Sequence, residues 1–145
     1  MAKTFQKLLV PIDFSEHAER ALDYAIAWGR QLRAQLVLLH VIQSISDAGF
    51  DMMSALPAAH LKVLENELTQ HMKDYLQRVE DAGVEGDSVI AYGTPYDKTI
   101  ELVETRQIDL IVMGSHGRTG LSHLFLGSMA EKLVRLAPCP VLVVR

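Results

Sequence analysis

The densest chemistry in the chain lies in one run: Met113-Gly114-Ser115-His116-Gly117-Arg118-Thr119-Gly120-Leu121-Ser122-His123-Leu124-Phe125-Leu126-Gly127-Ser128-Met129. Glycines let backbone N–H groups approach an anion closely, because no Cβ stands in the way. Ser115, Thr119, Ser122 and Ser128 supply hydroxyl donors, and Arg118 supplies charge. A helix opening at the end of the run adds free amides and a favourable dipole. Together these groups suit a polyphosphate. The run is not a P-loop, since no Gly-Lys-Ser/Thr follows at the required spacing. It is not the dinucleotide fingerprint either, because Gly114, Gly117 and Gly120 are separated by two residues each. Catalytic patterns are missing: there is no Gly-x-Ser-x-Gly elbow, no His-Glu-x-x-His helix and no Walker lysine. Phosphate-binding chemistry without visible catalytic chemistry points to binding, with any hydrolysis slow. His116 and His123 are seven apart and have no third ligand, which argues against a metal pair.

The elements that position this run follow from hydrophobic periodicity. Short apolar runs occur at Lys7–Ile12, Gln35–Ile42, Ile108–Met113 and Pro140–Val144, with a weaker one at Ser88–Tyr92. Several lack polar alternation, as expected of parallel strands covered on both faces. Between them run helical stripes. Ala18, Ala21, Leu22, Ala25, Ile26 and Leu32 form the first, with Ser15 as its cap. Leu61, Leu64, Leu68, Met72, Tyr75, Leu76 and Val79 form the second, stopping at Gly83. Thr94-Pro95 opens the third, whose buried face is Ile100, Val103 and Tyr96. Ser128-Met129-Ala130-Glu131 has capping-box spacing and opens the fourth, which runs through Leu136.

The resulting β-α-β-α-β-α-β-α-β order predicts an α/β fold, a five-stranded parallel sheet with helices on both faces. In such sheets ligands bind beyond the carboxyl ends of the strands, where strand order reverses. The first strand is central, so Asp13, Val41 to Gln43, Gly93-Thr94 and Gly114 onward become candidates. Gln43 to Pro57 has no clear periodicity, and a segment of that kind is usually functional or mobile. The last strand, Pro140 to Val144, is an uncharged edge and invites pairing with a twin.

Composition narrows the class. The 145 residues fit a single domain spanning 1–145. Lys and Arg number 14 against 18 Asp and Glu, a net charge of −4, which disfavours coating nucleic acid or anionic membrane. Lone Cys139 excludes an internal disulfide framework and a multi-cysteine zinc site. No apolar run is long enough to span a bilayer and the N-terminus lacks a signal-peptide core, so a cytoplasmic protein is expected.

Three separated stretches carry a resemblance. Gly114-x-x-Gly117, nine residues, then Gly127-Ser128 resembles the nucleotide-binding motif of the universal stress protein family. The opening Leu8-Leu9-Val10-Pro11-Ile12-Asp13-Phe14-Ser15-Glu16 and the ending Ala137-Pro138-Cys139-Pro140-Val141-Leu142-Val143-Val144 are similar to that family too. The resemblance covers essentially the whole chain and favours the ATP-binding branch. It implies a Rossmann-like sheet of order 3-2-1-4-5, related to adenine nucleotide alpha hydrolases. It also implies a homodimer through the last strand, and a nucleotide-dependent switch or regulator in stress response with an unidentified protein partner. The alternative is a slow ATPase or nucleotide-dependent transferase. By matching position, Pro11, Asp13 and Val41 would hold adenine and ribose, and Gly114, Gly117, Gly127 and Ser128 the phosphates. Met113, Ser115, His116, Arg118 and Met129 line the same motif. ATP, ADP or AMP would be resident, with Mg²⁺ beside a triphosphate. Duller roles stay open: Asp13 or Ser128 as helix caps, Arg118 as a solvated charge, and Met52 and Met53 as loop anchors. His17, His60 and His71 read as exposed helix positions, and Cys139 as a small packed hydrophobe.

Overall fold

In the computed structural model, residues 4–43, 57–117 and 125–145 are described. Among these residues the chain forms β1 (Lys7–Pro11), α1 (Glu16–Leu32), β2 (Gln35–Ile42), α2 (Ala58–Asp81), β3 (Gly86–Tyr92), α3 (Pro95–Thr105), β4 (Leu110–Gly114), α4 (Ser128–Leu136) and β5 (Val141–Val144). The strands form one parallel sheet of order β3-β2-β1-β4-β5. Strand order reverses at β1, the order that the family resemblance implies.

The central strands are buried almost continuously, and alternate residues point to opposite, covered faces. Leu8, Val10, Leu36, Leu38, Leu110 and Val112 face α1 and α2, packing on Ala21, Leu22, Ala25, Met72 and Val79. Leu9, Val37, Leu39, Ile111 and Met113 face α3 and α4, packing on Val103, Ala130 and Leu133. Each such buried aliphatic side chain contributes roughly 1.5–3 kcal/mol relative to exposure, so the two cores fix the sheet between its helices. Tyr96, Ile100 and Cys139 lie partly buried against the second core, where periodicity places the first two.

Local signals set several helix ends. Ser15 caps α1, its hydroxyl accepting from the Ala18 amide at 3.2 Å. Thr94 caps α3 by accepting from the Asp97 amide, with Pro95 in the first turn. The second helix ends at Asp81, and Gly83 takes φ +78° in the turn beyond it.

Two expectations are corrected. Ser128 is not a capping-box residue. The cap of α4 is Gly127, no side chain caps the helix, and Glu131 instead meets Arg135 at 3.6 Å. Ser128 therefore occupies the first helical position, and α4 begins one residue before the predicted start. His17 is half-buried rather than exposed, because its ring leans on that of His116 with centroids 5.2 Å apart. The aperiodic segment, all but its first and last residues, lies outside the described residues, as do Arg118, Thr119, Gly120, Ser122 and His123.

Candidate nucleotide site

A cleft of about 580 Å³ opens beyond the carboxyl ends of β1, β2 and β4, where strand order reverses. That volume lies within the roughly 300–1,000 Å³ usual for small-molecule sites. Pro11 and Asp13 enter from the end of β1, and Val41 from β2. Met113, Gly114, His116 and Gly117 enter from the end of β4 and the turn after it, and Gly127, Ser128 and Met129 from the start of α4. The structure thus brings ten of the eleven candidate residues to one cleft; the eleventh, Arg118, is outside the described residues.

One wall is built for close approach. A Cβ on Gly114 would stand 2.7 Å from backbone and side-chain atoms of His17, so only glycine lets β4 end beneath α1. A Cβ on Gly127 would stand 2.8 Å from the Ser115 carbonyl oxygen, which accepts the Gly127 amide at 2.7 Å. With glycine as its cap and no side-chain acceptor, α4 leaves its first-turn amides available to the cleft. The positive end of the helix dipole points the same way.

Asp13 holds a different corner. Its Oδ1 accepts from the Ser15 amide at 3.0 Å and from the Ser15 hydroxyl, so it buttresses the cap of α1 rather than being the cap. Its Oδ2 stands 3.0 Å from where a Cβ of Gly117 would be, which sets the carboxylate beside the glycine turn. Next to it Phe14 adopts φ +63°, a left-handed conformation costly for a residue with a Cβ. Its ring packs on His40 at 4.7 Å, on Tyr75 at 5.7 Å and edge-on to His71 at 5.5 Å. His40 Nδ1 donates to the Ile12 carbonyl at 2.7 Å, which ties the end of β1 to β2.

Several lining residues carry no motif. Leu64 and Leu68 of α2, and Pro95 and Thr99 of α3, complete the walls. The apolar stripe of α2 contains both leucines, yet Leu64 is 38% exposed and faces the cleft instead of the core. Thr99 is fully buried, its hydroxyl donating to the Pro95 carbonyl at 2.7 Å. Ser115 is buried too, and its Oγ lies 2.9 Å from His116 Nδ1. No group of three or more His, Cys, Asp or Glu that could hold a metal occurs among the described residues. Asp13 is the one carboxylate among the described lining residues.

The universal stress protein family profile matches residues 4–145. The chain belongs to the universal stress protein family. It is 34% identical over 158 aligned positions to the universal stress protein MJ0577 of Methanocaldococcus jannaschii, covering all of this chain and 98% of that one. The solved structure of MJ0577 superposes with a TM-score of 0.83 at 33% identity, covering 98% of this chain and 96% of that chain. The universal stress protein UspA from Lactobacillus plantarum gives a TM-score of 0.86 at 25% identity, covering 99% and 100%. Two members solved with cAMP and, from Archaeoglobus fulgidus, with dAMP share the fold at TM-scores of 0.72 and 0.70 and at 22% and 18% identity. These members cover 99% of this chain. No helix among the described residues is long and apolar enough to cross a membrane.

Proposed function

We propose that this family member binds an adenine nucleotide, ATP with Mg²⁺, in the cleft and acts as a nucleotide-dependent regulator in the stress response. The observation that carries this reading is the start of α4, capped by glycine with no side-chain acceptor on its first-turn amides, opening onto the same cleft as Asp13. Free helical amides suit phosphate, whereas a carboxylate suits ribose hydroxyls and would repel phosphate. Gly114, Gly117, Gly127 and Ser128 would meet the phosphates. Pro11, Asp13 and Val41 would meet the nucleoside, with Met113 and Met129 as apolar lining. Mg²⁺ usually keeps several waters and binds through phosphate oxygens, so it can accompany the phosphates while Asp13, the one carboxylate among the described lining residues, meets the ribose. Adenine nucleotides held by other members of the fold, cAMP and dAMP, agree with this class of ligand.

Ser128→Pro tests the reading. Proline is favoured at the first helical position, and Gly127 already has ψ 152°, the extended backbone that precedes proline. The helix therefore survives while one amide donor and the hydroxyl disappear. Calorimetry with ATP and Mg²⁺ should show binding weakened by about tenfold or more, because hydrogen bonds to charged groups contribute roughly 1.5–3 kcal/mol. Ser128→Ala, which keeps the amide, should lose less. Equal affinity in wild type and Ser128→Pro would remove α4 from the site. ATP recovered uncleaved after hours with the protein supports a switch, and steady turnover supports the slow ATPase instead.

The proposal extends to assembly: one domain spanning 1–145, cytoplasmic, forming a homodimer through Pro140–Val144. Its support is that β5 lies at the sheet edge and pairs only with β4 among the described residues. The helix leading into it, α4, leaves Val134 and Leu136 exposed.

A further inference from the structure

Resting on the nucleotide reading above, we propose that His116 is a positioning residue rather than a nucleotide ligand. It latches the two ends of the glycine segment together and thereby aims the start of α4 into the cleft.

The residues on either side of the segment are joined twice. The Gly127 amide donates to the Ser115 carbonyl at 2.7 Å. One residue further along on one side of the junction and two residues back on the other, His116 Nε2 contacts the Phe125 carbonyl oxygen. A carbonyl only accepts, so Nε2 carries the proton, and this fixes the tautomer. In the uncharged ring Nδ1 is then an acceptor, and its partner at 2.9 Å is the Ser115 hydroxyl. Both ring nitrogens are thus committed to the protein. The Ser115 proton is committed as well, so Ser115 does not serve as the phosphate donor its residue type suggests.

The back of the imidazole is supported by α1. The His17 ring packs against it with centroids 5.2 Å apart at 50°. The His17 backbone is itself locked against Gly114, where a Cβ would meet it at 2.7 Å. His17 Nδ1 is buried without a hydrogen-bond partner among the described residues, so packing against His116 and Gly114 is what holds that ring. The chain leaving the Phe125 carbonyl reaches the Gly127 cap two residues later. Pinning Phe125 therefore sets the direction in which the first-turn amides of α4 point. This is orientation through the backbone, which catalytic and binding sites use to fix donor geometry.

The test combines ¹⁵N NMR of the full chain with binding of N-methylanthraniloyl-ATP in Mg²⁺. The wild-type His116 ring should show the Nε2–H tautomer. His116→Ala should weaken probe binding by about tenfold, the effect of one hydrogen bond of about 1.4 kcal/mol, and should speed exchange of the Gly127 amide by a similar factor. His116→Gln, whose terminal amide can donate to the Phe125 carbonyl, should restore both to within about threefold. Three results would overturn the latch. They are an Nδ1–H tautomer, unchanged affinity and exchange in His116→Ala, or loss of affinity in both variants with Gly127 exchange unchanged. The last result would make His116 a direct ligand. A wild-type protein that ignores the probe would sink the nucleotide reading instead, while tautomer and exchange still decide the latch.

Discussion

At the scale of single residues, the site depends on atoms that are missing as much as on atoms that are present. Gly114 is required because the α1 backbone passes where its Cβ would sit. Of the three nearest atoms, two belong to His17 backbone, which cannot swing aside as a flexible side chain would. Gly114→Ala is therefore expected to destabilise the fold by about 1–3 kcal/mol, toward the upper end, as overpacking does. Urea denaturation checks this, and a midpoint unchanged from wild type would show that α1 can shift. That glycines cluster between the end of β4 and the start of α4 was legible in the sequence. The steric reason for Gly114 was not, because His17 is far from it in the chain and becomes its neighbour only through the crossover. The same holds for His116, whose residue type suggests a ligand while its partners, Ser115 and Phe125, make it part of the scaffold.

At the scale of elements, periodicity and cap chemistry specified the strands and the starts of α1 and α3, since both depend on residues close in sequence. The start of α4 shows the limit. Ser128 and Glu131 have capping-box spacing, but Gly127 takes the cap because its amide is drawn onto the Ser115 carbonyl from β4's end. The edge strand shows a different limit. Hydrogen bonds from Ile111 to the Pro140 carbonyl and from Ser115 to the Val144 carbonyl turn alternate groups of β5 toward β4. The Val141 and Val143 backbone groups therefore face outward, available to a second copy. Val143→Pro removes an outward amide while leaving the β4 ladder intact, and proline is tolerated on edge strands. Sedimentation should show the proposed dimer converted to monomer. A dimer that persists unchanged would rule out pairing through β5.

At the scale of the whole molecule, a stacked cluster ties the site to the outer helix. His40, at the cleft, packs on Phe14; Phe14 packs on Tyr75 of α2; and Arg78 lies 5.5 Å over the Tyr75 ring. Arg78 also reaches Asp23 at 2.8 Å, and the Tyr75 hydroxyl donates to Glu19 at 2.7 Å, so α1 and α2 are joined along this flank. Burial, reinforced by the Glu19 carboxylate, pushes the Tyr75 phenol from 10.0 up to about 12. The unfolded chain therefore releases this proton first, and stability should fall as pH rises from about 10 to about 12. Tyr92, whose hydroxyl bonds to Glu65, is shifted in the same direction. In Tyr75→Phe the Tyr75 part of this alkaline loss should vanish. The stability gap between wild type and variant should then narrow across that window, and parallel curves would show that the phenol is not held.

The sequence by itself determined the alternation of strands and helices, the parallel sheet, and the phosphate-suited glycine run. Each is written in local periodicity, in cap residues or in the spacing of a few glycines. Only the tertiary structure decided which residues meet. It set Asp13 beside Gly117, turned Leu64 toward the cleft, gave the α4 cap to Gly127 and committed both nitrogens of His116. The reason is physical: burial, hydrogen-bond partners and steric limits belong to pairs of atoms. In a parallel sheet with crossover helices, those pairs come from residues far apart in the chain.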